Sequence, residues 1–380
     1  MTTLNTVLTR GVQQILPTRA GLESLMRKRK ITLYQGFDPT APSLHIGHFI
    51  GVRKLAQFQS LGHKVIFLIG DFTGLIGDPS GKGTARRRQT SKEVLENLKN
   101  YTKQVERVID FHGPNAAKVM FNSEWTDKLS QRDMIEIASK LTHQQLIERD
   151  MYQERIKSEN AIYFHELLYP IYQGYDSVAM DVDLEIGGND QLFNMMIGRT
   201  LMKALKNKDK FVMTMKLLTD SGGKKMGKTD GNAVFLADSA EETYGKVMSW
   251  SDEVINQSVE SLTDFPLDYV LSHGPLTAKK AVAFEIVRQV HGEKSAKEAQ
   301  DVFEKTFQKK APDFNINVNS GETLVKTIAS FTSRKSISSA KELIRQNGVD
   351  VNNKTIIDQN YIVKSGDEIK VGGRTFLKAK

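Results

Sequence analysis

His45 and His48, three residues apart in His45-Ile46-Gly47-His48, are the first side chains whose type and spacing suggest chemistry. The apolar run Ile31–Phe37 before them reads as a buried strand. Pro42 and Ser43 read as a helix start, with Ser43 as the cap. Residues three apart share a helix face. In the first turn they would sit among unpaired backbone N–H groups at the positive end of the helix dipole, where an anion is favoured. Gly47 leaves room for a planar ligand to approach the backbone. The junction reads as a phosphate or nucleotide site, although two ordinary surface histidines would look the same in isolation.

Four further segments carry candidate chemistry. Lys225 and Lys228 lie in Ser221-Gly222-Gly223-Lys224-Lys225-Met226-Gly227-Lys228-Thr229-Asp230-Gly231, a glycine-rich loop that could bring two ammonium groups to departing phosphates, or could be a plain surface turn. Gly77-Asp78-Pro79-Ser80-Gly81-Lys82-Gly83-Thr84-Ala85-Arg86-Arg87-Arg88 is not a Walker A loop, since Ile76 and Gly83 stand where Gly and Ser or Thr are needed. It reads equally as an anion-contacting loop or a solvated basic one. Tyr169, Gln173 and Asp176 share one face if their segment is helical, as a polar pocket wall or as part of a packed amphipathic helix. Gly187-Gly188-Asn189-Asp190-Gln191 falls between a strand and a helix, where open parallel sheets bind ligands. Asp190 there could accept ribose hydroxyls or cap the next helix.

The elements that must position these groups alternate. Strands are expected at Ile31–Phe37, Val65–Ile69, Lys118–Phe121, Leu184–Ile186 and Phe211–Leu217. Helices are expected at His45–Leu61, Ser91–Phe111, Ser130–Arg149, Phe164–Met180 and Asp190–Leu205. This predicts an α/β fold, a doubly wound parallel sheet covered by helices, over residues 1–220. A helical insertion near 130–160 and a mobile loop over 221–238 belong to that reading. Residues 239–310 show only helical periodicity, at Ala240–Met248, Ser251–Ser261, Ala278–Val290 and Ser295–Phe307, and read as a helical domain. The Asn-rich stretch 311–320 reads as a linker. Residues 321–380 read as a small α+β module. Its helix would bury Ile337, Ala340, Leu343 and Ile344 and end at Gly348. A turn is expected at Asn352-Asn353, and a hairpin around Gly372-Gly373.

Composition narrows the classes. With 380 residues, two or three domains are expected. Cysteine is absent, which excludes disulfides, thiolate catalysis and thiolate zinc sites. No apolar run suits a bilayer and no secretory leader is visible, so a cytoplasmic location is expected. Net charge is +8. Residues 321–380 hold 11 Lys+Arg and 6 Asp+Glu, or +5, against 42 and 39, or +3, in the first 320. A basic module on a nearly neutral body points to a polyanion such as nucleic acid, or to a solubility-driven excess.

The order of these signals resembles the bacterial tyrosyl-tRNA synthetases, over nearly the whole chain. His45-Ile46-Gly47-His48 matches the HIGH motif of class I synthetases, and Lys225-Met226-Gly227-Lys228-Thr229 is similar to their KMSKS motif. The resemblance implies a Rossmann-like catalytic domain and a C-terminal S4-like RNA-binding domain. It implies that Tyr34 and Asp176 take the substrate's phenol oxygen. Buried polar groups aimed at a hydroxyl penalise phenylalanine by being left unpaired, a rule for which tyrosine-selecting synthetases are themselves the familiar example.

By the same resemblance, Asp78, Tyr169 and Gln173 would hold the substrate ammonium, with Gly36 and Gln191 lining the tyrosine pocket. Asp38, Gly47, Asp190 and Lys228 would contact ATP. Thr40 and His45 would stabilise the pyrophosphate side and His48 the nucleotide, while Lys82, Arg86, Lys225 and Lys228 would be cations on the leaving group. ATP with Mg²⁺, L-tyrosine and tRNA(Tyr) are the implied ligands, and a homodimer the implied assembly. No carboxylate cluster marks a metal cage. Gln35 and Leu192-Phe193 differ from many members, which carry Trp-Gly at the latter place. The alternatives are tryptophanyl-tRNA synthetase, an RNA-binding protein on a synthetase scaffold, and a nucleotidyltransferase of related fold.

Overall fold

The computed structural model describes residues 2–79, 89–219, 233–308, 314, 316–331, 336–372 and 375–380. Lys82, Arg86, Lys225 and Lys228 lie outside the described residues. The chain divides into two compact units, Met1–Ala296 and Lys297–Lys380.

The first unit is built on a six-stranded sheet of order β1-β6-β5-β2-β3-β4. Its strands are β1 Val12–Leu16, β2 Thr32–Phe37, β3 Lys64–Ile69, β4 Lys118–Phe121, β5 Leu184–Gly188 and β6 Phe211–Met215. Five run parallel, as expected. The β1 strand was not foreseen and pairs antiparallel with β6 at the edge. Its Val12-Gln13-Gln14-Ile15-Leu16 sequence is too polar and too short to announce a strand. By contrast β3, Lys-Val-Ile-Phe-Leu-Ile, is buried at every position after Lys64 because helices cover both faces.

Several helices differ from the expected ones at their caps. Ser43 does not cap the Ile46–Ser60 helix; its Oγ donates to the Leu44 carbonyl instead. His45 is the cap. The expected Ser91–Phe111 helix is two, Ser91–Leu98 and Tyr101–Val105, with Tyr101 buried and its hydroxyl donating to the Ala41 carbonyl at 2.7 Å. Ser130–Arg149 also divides, into Gln131–Ala138 and His143–Ile147, because Thr142 starts a second capping box with Gln145. Asp150–Lys157 completes the helical insertion.

The helices Ala240–Met248, Asp252–Leu262, Tyr269–His273 and Pro275–His291 fall within the first unit. Arg53, on the Ile46–Ser60 helix, donates to the Ser261 carbonyl at 3.0 Å and to Asp264 at 2.9 Å. Arg10 donates to the carbonyls of Val259, Glu260 and Phe265. Such ties hold these helices to the sheet. The compact division therefore falls at 296/297 rather than in the expected linker at 311–320. Part of that linker, Ile316–Val318, is itself a strand, β7, parallel to the C-terminal strand Thr375–Ala379.

The second unit is a five-stranded sheet of order β7-β11-β10-β8-β9, with β8 Val349–Val351, β9 Lys354–Thr355, β10 Glu368–Val371 and β11 Thr375–Ala379. The helices Leu324–Phe331 and Ile337–Arg345 share its core of Leu324, Ile328, Ala340, Ile344, Val349 and Ile369. Ile337, expected inside, is exposed at the helix start. The helix ends on Asn347 at φ 56°, with the Gly348 N–H donating back to Leu343. Asn352 and Asn353, at φ 51° and 62°, make the expected tight turn between β8 and β9.

Candidate active site

The sheet order reverses between β2 and β5. The chain leaves β2 for β3 and β4 on one side, then returns to β5 and β6 on the other. Open α/β sheets bind ligands outside the carboxyl ends of strands at such a reversal. Tyr34 on β2 and Glu185 on β5 are partners in register there.

The histidines stand at the carboxyl end of β2. His45 Nδ1 accepts from the Gly47 N–H at 3.1 Å, and the His45 N–H donates to His48 Nδ1 at 3.3 Å. This reciprocal box stacks the rings, with centroids 3.7 Å apart. An edge of Phe37 backs His48 at 6.0 Å. Opposite, the Ile46 N–H donates to Val234 and the Leu236 N–H to Leu44, at 2.9 and 2.8 Å. The backbone leaving the Lys225–Lys228 region is thus bonded to the histidine junction. Thr40 lies on the same junction, its N–H donating to the Asp38 carbonyl at 2.8 Å.

Asp38 accepts from Tyr169 Oη at 2.9 Å and from Thr73 Oγ1 at 2.7 Å. Gly70 permits this approach, since a Cβ there would stand 2.0 Å from Asp38 Oδ1. Asn122 donates to Thr73 Oγ1 at 3.0 Å and to Asp176 at 3.3 Å, and Trp125 Nε1 donates to Asp176 at 2.8 Å. Burial pushes the Asp176 carboxyl well above its usual range, against the pull of those two donors.

The Phe164–Ala179 helix carries Tyr169, Gln173 and Asp176 toward the sheet, as their spacing predicts. It packs along the Leu192–Lys206 helix. Between them runs a continuous chain of hydrogen bonds. Gln191 Nε2 donates to Asp78 at 2.7 Å, and Asn194 donates to Gln191 at 3.0 Å and to Gln173 at 2.9 Å. Gln173 Nε2 then donates to Glu185 at 3.1 Å. Asp190 lies in a 3₁₀ turn, Asn189–Gln191, that leads into the Leu192–Lys206 helix, whose cap residue is Gln191.

Tyr34 is buried, and its hydroxyl lies 2.8 Å from Ser177 Oγ. Burial first, then the Glu185 and Asp176 carboxylates, push its phenol pKa well above the ordinary value, so it keeps its proton. Lys210 is fully buried beside Glu185. Burial lowers its pKa and Glu185 opposes this. Gly36 lies beside Leu68 on the same strand pair. Among the described residues, no group of three or more His, Asp or Glu side chains could hold a metal ion.

The sequence-derived candidates Tyr34, Asp38, Asp78, Tyr169, Gln173, Asp176 and Gln191 therefore sit in linked polar networks. Ser177, Glu185, Lys210, Asn194, Asn122 and Trp125 were not foreseen. Glu185 did leave a signal, as a carboxylate inside an otherwise apolar buried strand. Gln35 lies over Gly51 of the Ile46–Ser60 helix, and Phe193 lies 4.9 Å from the Arg149 guanidinium.

The chain is similar to known proteins over nearly its whole length. The model of the class I tRNA synthetases (W and Y) matches residues 26–308. The tyrosine–tRNA ligase of Carboxydothermus hydrogenoformans is 39% identical, covering 98% of this chain and 96% of that one. The chain belongs to the class I tyrosine–tRNA ligases. The ligase of Thermotoga maritima is 38% identical over the same shares of the two chains. Residues 324–369 match the S4 domain, within the second unit and the expected basic module. The fold is similar to that of a C-terminally truncated mitochondrial tyrosyl-tRNA synthetase from Coccidioides posadasii, with TM-score 0.66 and 24% identity over 78% of this chain and 90% of that one. It is also similar to the Archaeoglobus fulgidus synthetase complexed with L-tyrosine, with TM-score 0.61 and 20% identity over 77% and 98%.

Proposed function

We propose that the chain activates L-tyrosine with ATP to tyrosyl-adenylate and pyrophosphate, then transfers the tyrosyl group to the 3′ end of tRNA(Tyr). Family membership supports the reaction class. The observation that carries the amino-acid choice is the burial of Tyr34 Oη and the Asp176 carboxylate together at the sheet reversal. A phenol oxygen would pair with both, and a phenyl ring with neither.

Asp78, Tyr169 and Gln173 form the ammonium end, with Gly36 and Gln191 on the pocket wall. Asp38, Gly47 and Asp190 contact the nucleotide. His45, His48 and Thr40 stabilise charge on the phosphates at a helix start. Lys82, Arg86, Lys225 and Lys228 are assigned to the leaving pyrophosphate by the resemblance. The tyrosine carboxylate oxygen attacks the α-phosphorus in line, the bond to the bridging oxygen breaks, and pyrophosphate leaves with the electron pair. The terminal ribose hydroxyl of tRNA then attacks the mixed anhydride and releases AMP. No enzyme nucleophile is required, so catalysis rests on positioning and electrostatics. ATP enters as its magnesium complex. The described residues offer no cage for a resident metal, and no step is assigned to one.

The sheet unit and the helices after it would serve catalysis, and residues 321–380 would bind RNA. We assign a homodimer interface to the 130–160 insertion and its neighbour, where Ile135, Ile156 and Phe164 are exposed apolar side chains. No helix among the described residues is long and apolar enough to cross a membrane. A cytoplasmic location fits that and the absence of cysteine.

Amino-acid-dependent exchange of pyrophosphate into ATP tests the assignment. Stimulation by tyrosine is expected. Stimulation by tryptophan instead would overturn the substrate, and stimulation by neither would leave an RNA-binding protein on this scaffold.

A further inference from the structure

Behind Tyr34 lies a set of buried groups that the motifs do not contain. Lys210 Nζ donates to Ser177 Oγ at 2.8 Å and to Glu185 Oε2. Ser177 Oγ lies 2.8 Å from Tyr34 Oη and 3.4 Å from Glu185 Oε2. Lys210 and Ser177 have no solvent exposure, and Glu185 and Tyr34 almost none. Gly198, on the Leu192–Lys206 helix, makes the space. A Cβ there would stand 2.5 Å from Lys210 Nζ and 3.0 Å from Ser177 Oγ.

Ser177 is the link between Lys210 and Tyr34. An ammonium only donates, so Ser177 Oγ spends one lone pair on Lys210. Ser177 has one proton and two neighbouring acceptors. Tyr34 Oη is at an ordinary O–H···O distance, whereas Glu185 Oε2 is beyond it and already accepts from Lys210. Ser177 Oγ thus joins the buried ammonium to the Tyr34 hydroxyl, and Lys210 and Glu185 fix where it stands. Asp176, by contrast, is surrounded by donors, Trp125 and Asn122.

We propose that Lys210, acting through Ser177, holds the Tyr34 hydroxyl in place at the phenol end of the pocket. Lys210 and Ser177 are positioning residues for amino-acid selection. The proposal rests on the reading of Tyr34 and Asp176 as the phenol end of the pocket. Lys210, Ser177 and Tyr34 form a buried run of hydrogen bonds, in which each bond polarises the next. Glu185 neutralises Lys210 and, through Gln173, ties this end of the pocket to the ammonium end.

The test is pyrophosphate exchange by the full-length protein with tyrosine and with phenylalanine. Ser177→Ala removes one oxygen. It should lower the ratio of kcat/KM for tyrosine over phenylalanine about three- to tenfold, through tyrosine alone, as expected for one hydrogen bond. Added to Tyr34→Phe, it should change the ratio no further, since its route is gone. The charge-free pair Lys210→Met with Glu185→Gln should also lower the ratio. Equal losses for both amino acids, an unchanged ratio in Ser177→Ala or in the charge-free pair, or a further loss in the Tyr34→Phe background would each overturn the proposal. If Tyr34→Phe itself leaves the ratio unchanged, the phenol-end reading falls as well. If it relaxes the ratio while Ser177→Ala does not, only the relay falls.

Discussion

Tyr34 on β2 stands in register with Glu185 on β5, and both are buried where the sheet reverses its strand order. A phenol and a carboxylate thus meet in a place that a plain α/β core would fill with Val or Ile. The carboxylate is balanced by Lys210, just before β6. The polar cluster lies inside the protein, so its effects on stability and on selection can be measured separately.

Lys210→Met alone should destabilise the protein by about 3 to 5 kcal/mol, because it leaves Glu185 buried and unpaired. Lys210→Met combined with Glu185→Gln should recover much of that loss. Urea unfolding of the two variants checks this. Equal destabilisation in both would show that the pair itself, rather than the orphaned charge, holds the fold.

Asp176→Ala should weaken discrimination between tyrosine and phenylalanine. Its loss leaves the substrate's buried hydroxyl without an acceptor, so a drop of roughly tenfold to a hundredfold in relative kcat/KM is expected. Relative kcat/KM values that match those of the parent protein would remove Asp176 from the phenol site.

Lys228→Ala should slow adenylate formation on the order of a hundredfold while tyrosine binding is largely retained, as expected for a cation that acts on developing phosphate charge. Burst kinetics of pyrophosphate release check it. An unchanged burst rate would exclude the role.

His63 should make the fold sensitive to acid. Its Nδ1 accepts from the Ile31 N–H at 3.2 Å, which requires the unprotonated nitrogen. Burial, and then Lys30, lower its pKa to about 4. An unfolded histidine titrates near 6.5. The unfolded chain therefore binds the proton first, and stability is lost as pH falls from 6.5 to about 4, with no further loss from this group below that. His63 is buried, and His63→Gln should flatten this part of the curve by up to about 3 kcal/mol. Thermal unfolding from pH 7 to pH 4 measures the difference.

The parallel strands were legible because β3 and its neighbours are continuous apolar runs set between helix-spaced segments. The edge strand β1 was not, since Gln13 and Gln14 interrupt it and only pairing with β6 makes it a strand. Tyr169, Gln173 and Asp176 could be placed on one face by counting residues. Propensity put the cap of the Ile46–Ser60 helix at Ser43, whereas His45 takes it, because the Val234–Leu236 backbone that holds the junction is far away in sequence.

The amino-acid sequence by itself determined the reaction class, because the His45–His48 and Lys225–Lys228 motifs are local and depend on spacing within one segment. It also determined the small C-terminal module, whose helix end and Asn352-Asn353 turn are local backbone choices. Only the tertiary structure decided what stands behind Tyr34. Ser177, Glu185 and Lys210 come from a helix, a strand and the residue just before β6, which no local pattern links. They meet because β2 and β5 are neighbours and because Gly198 leaves a gap the width of an ammonium group. Long-range burial turns three separate residues into a connected set of hydrogen bonds, since inside the protein each donor must find an acceptor.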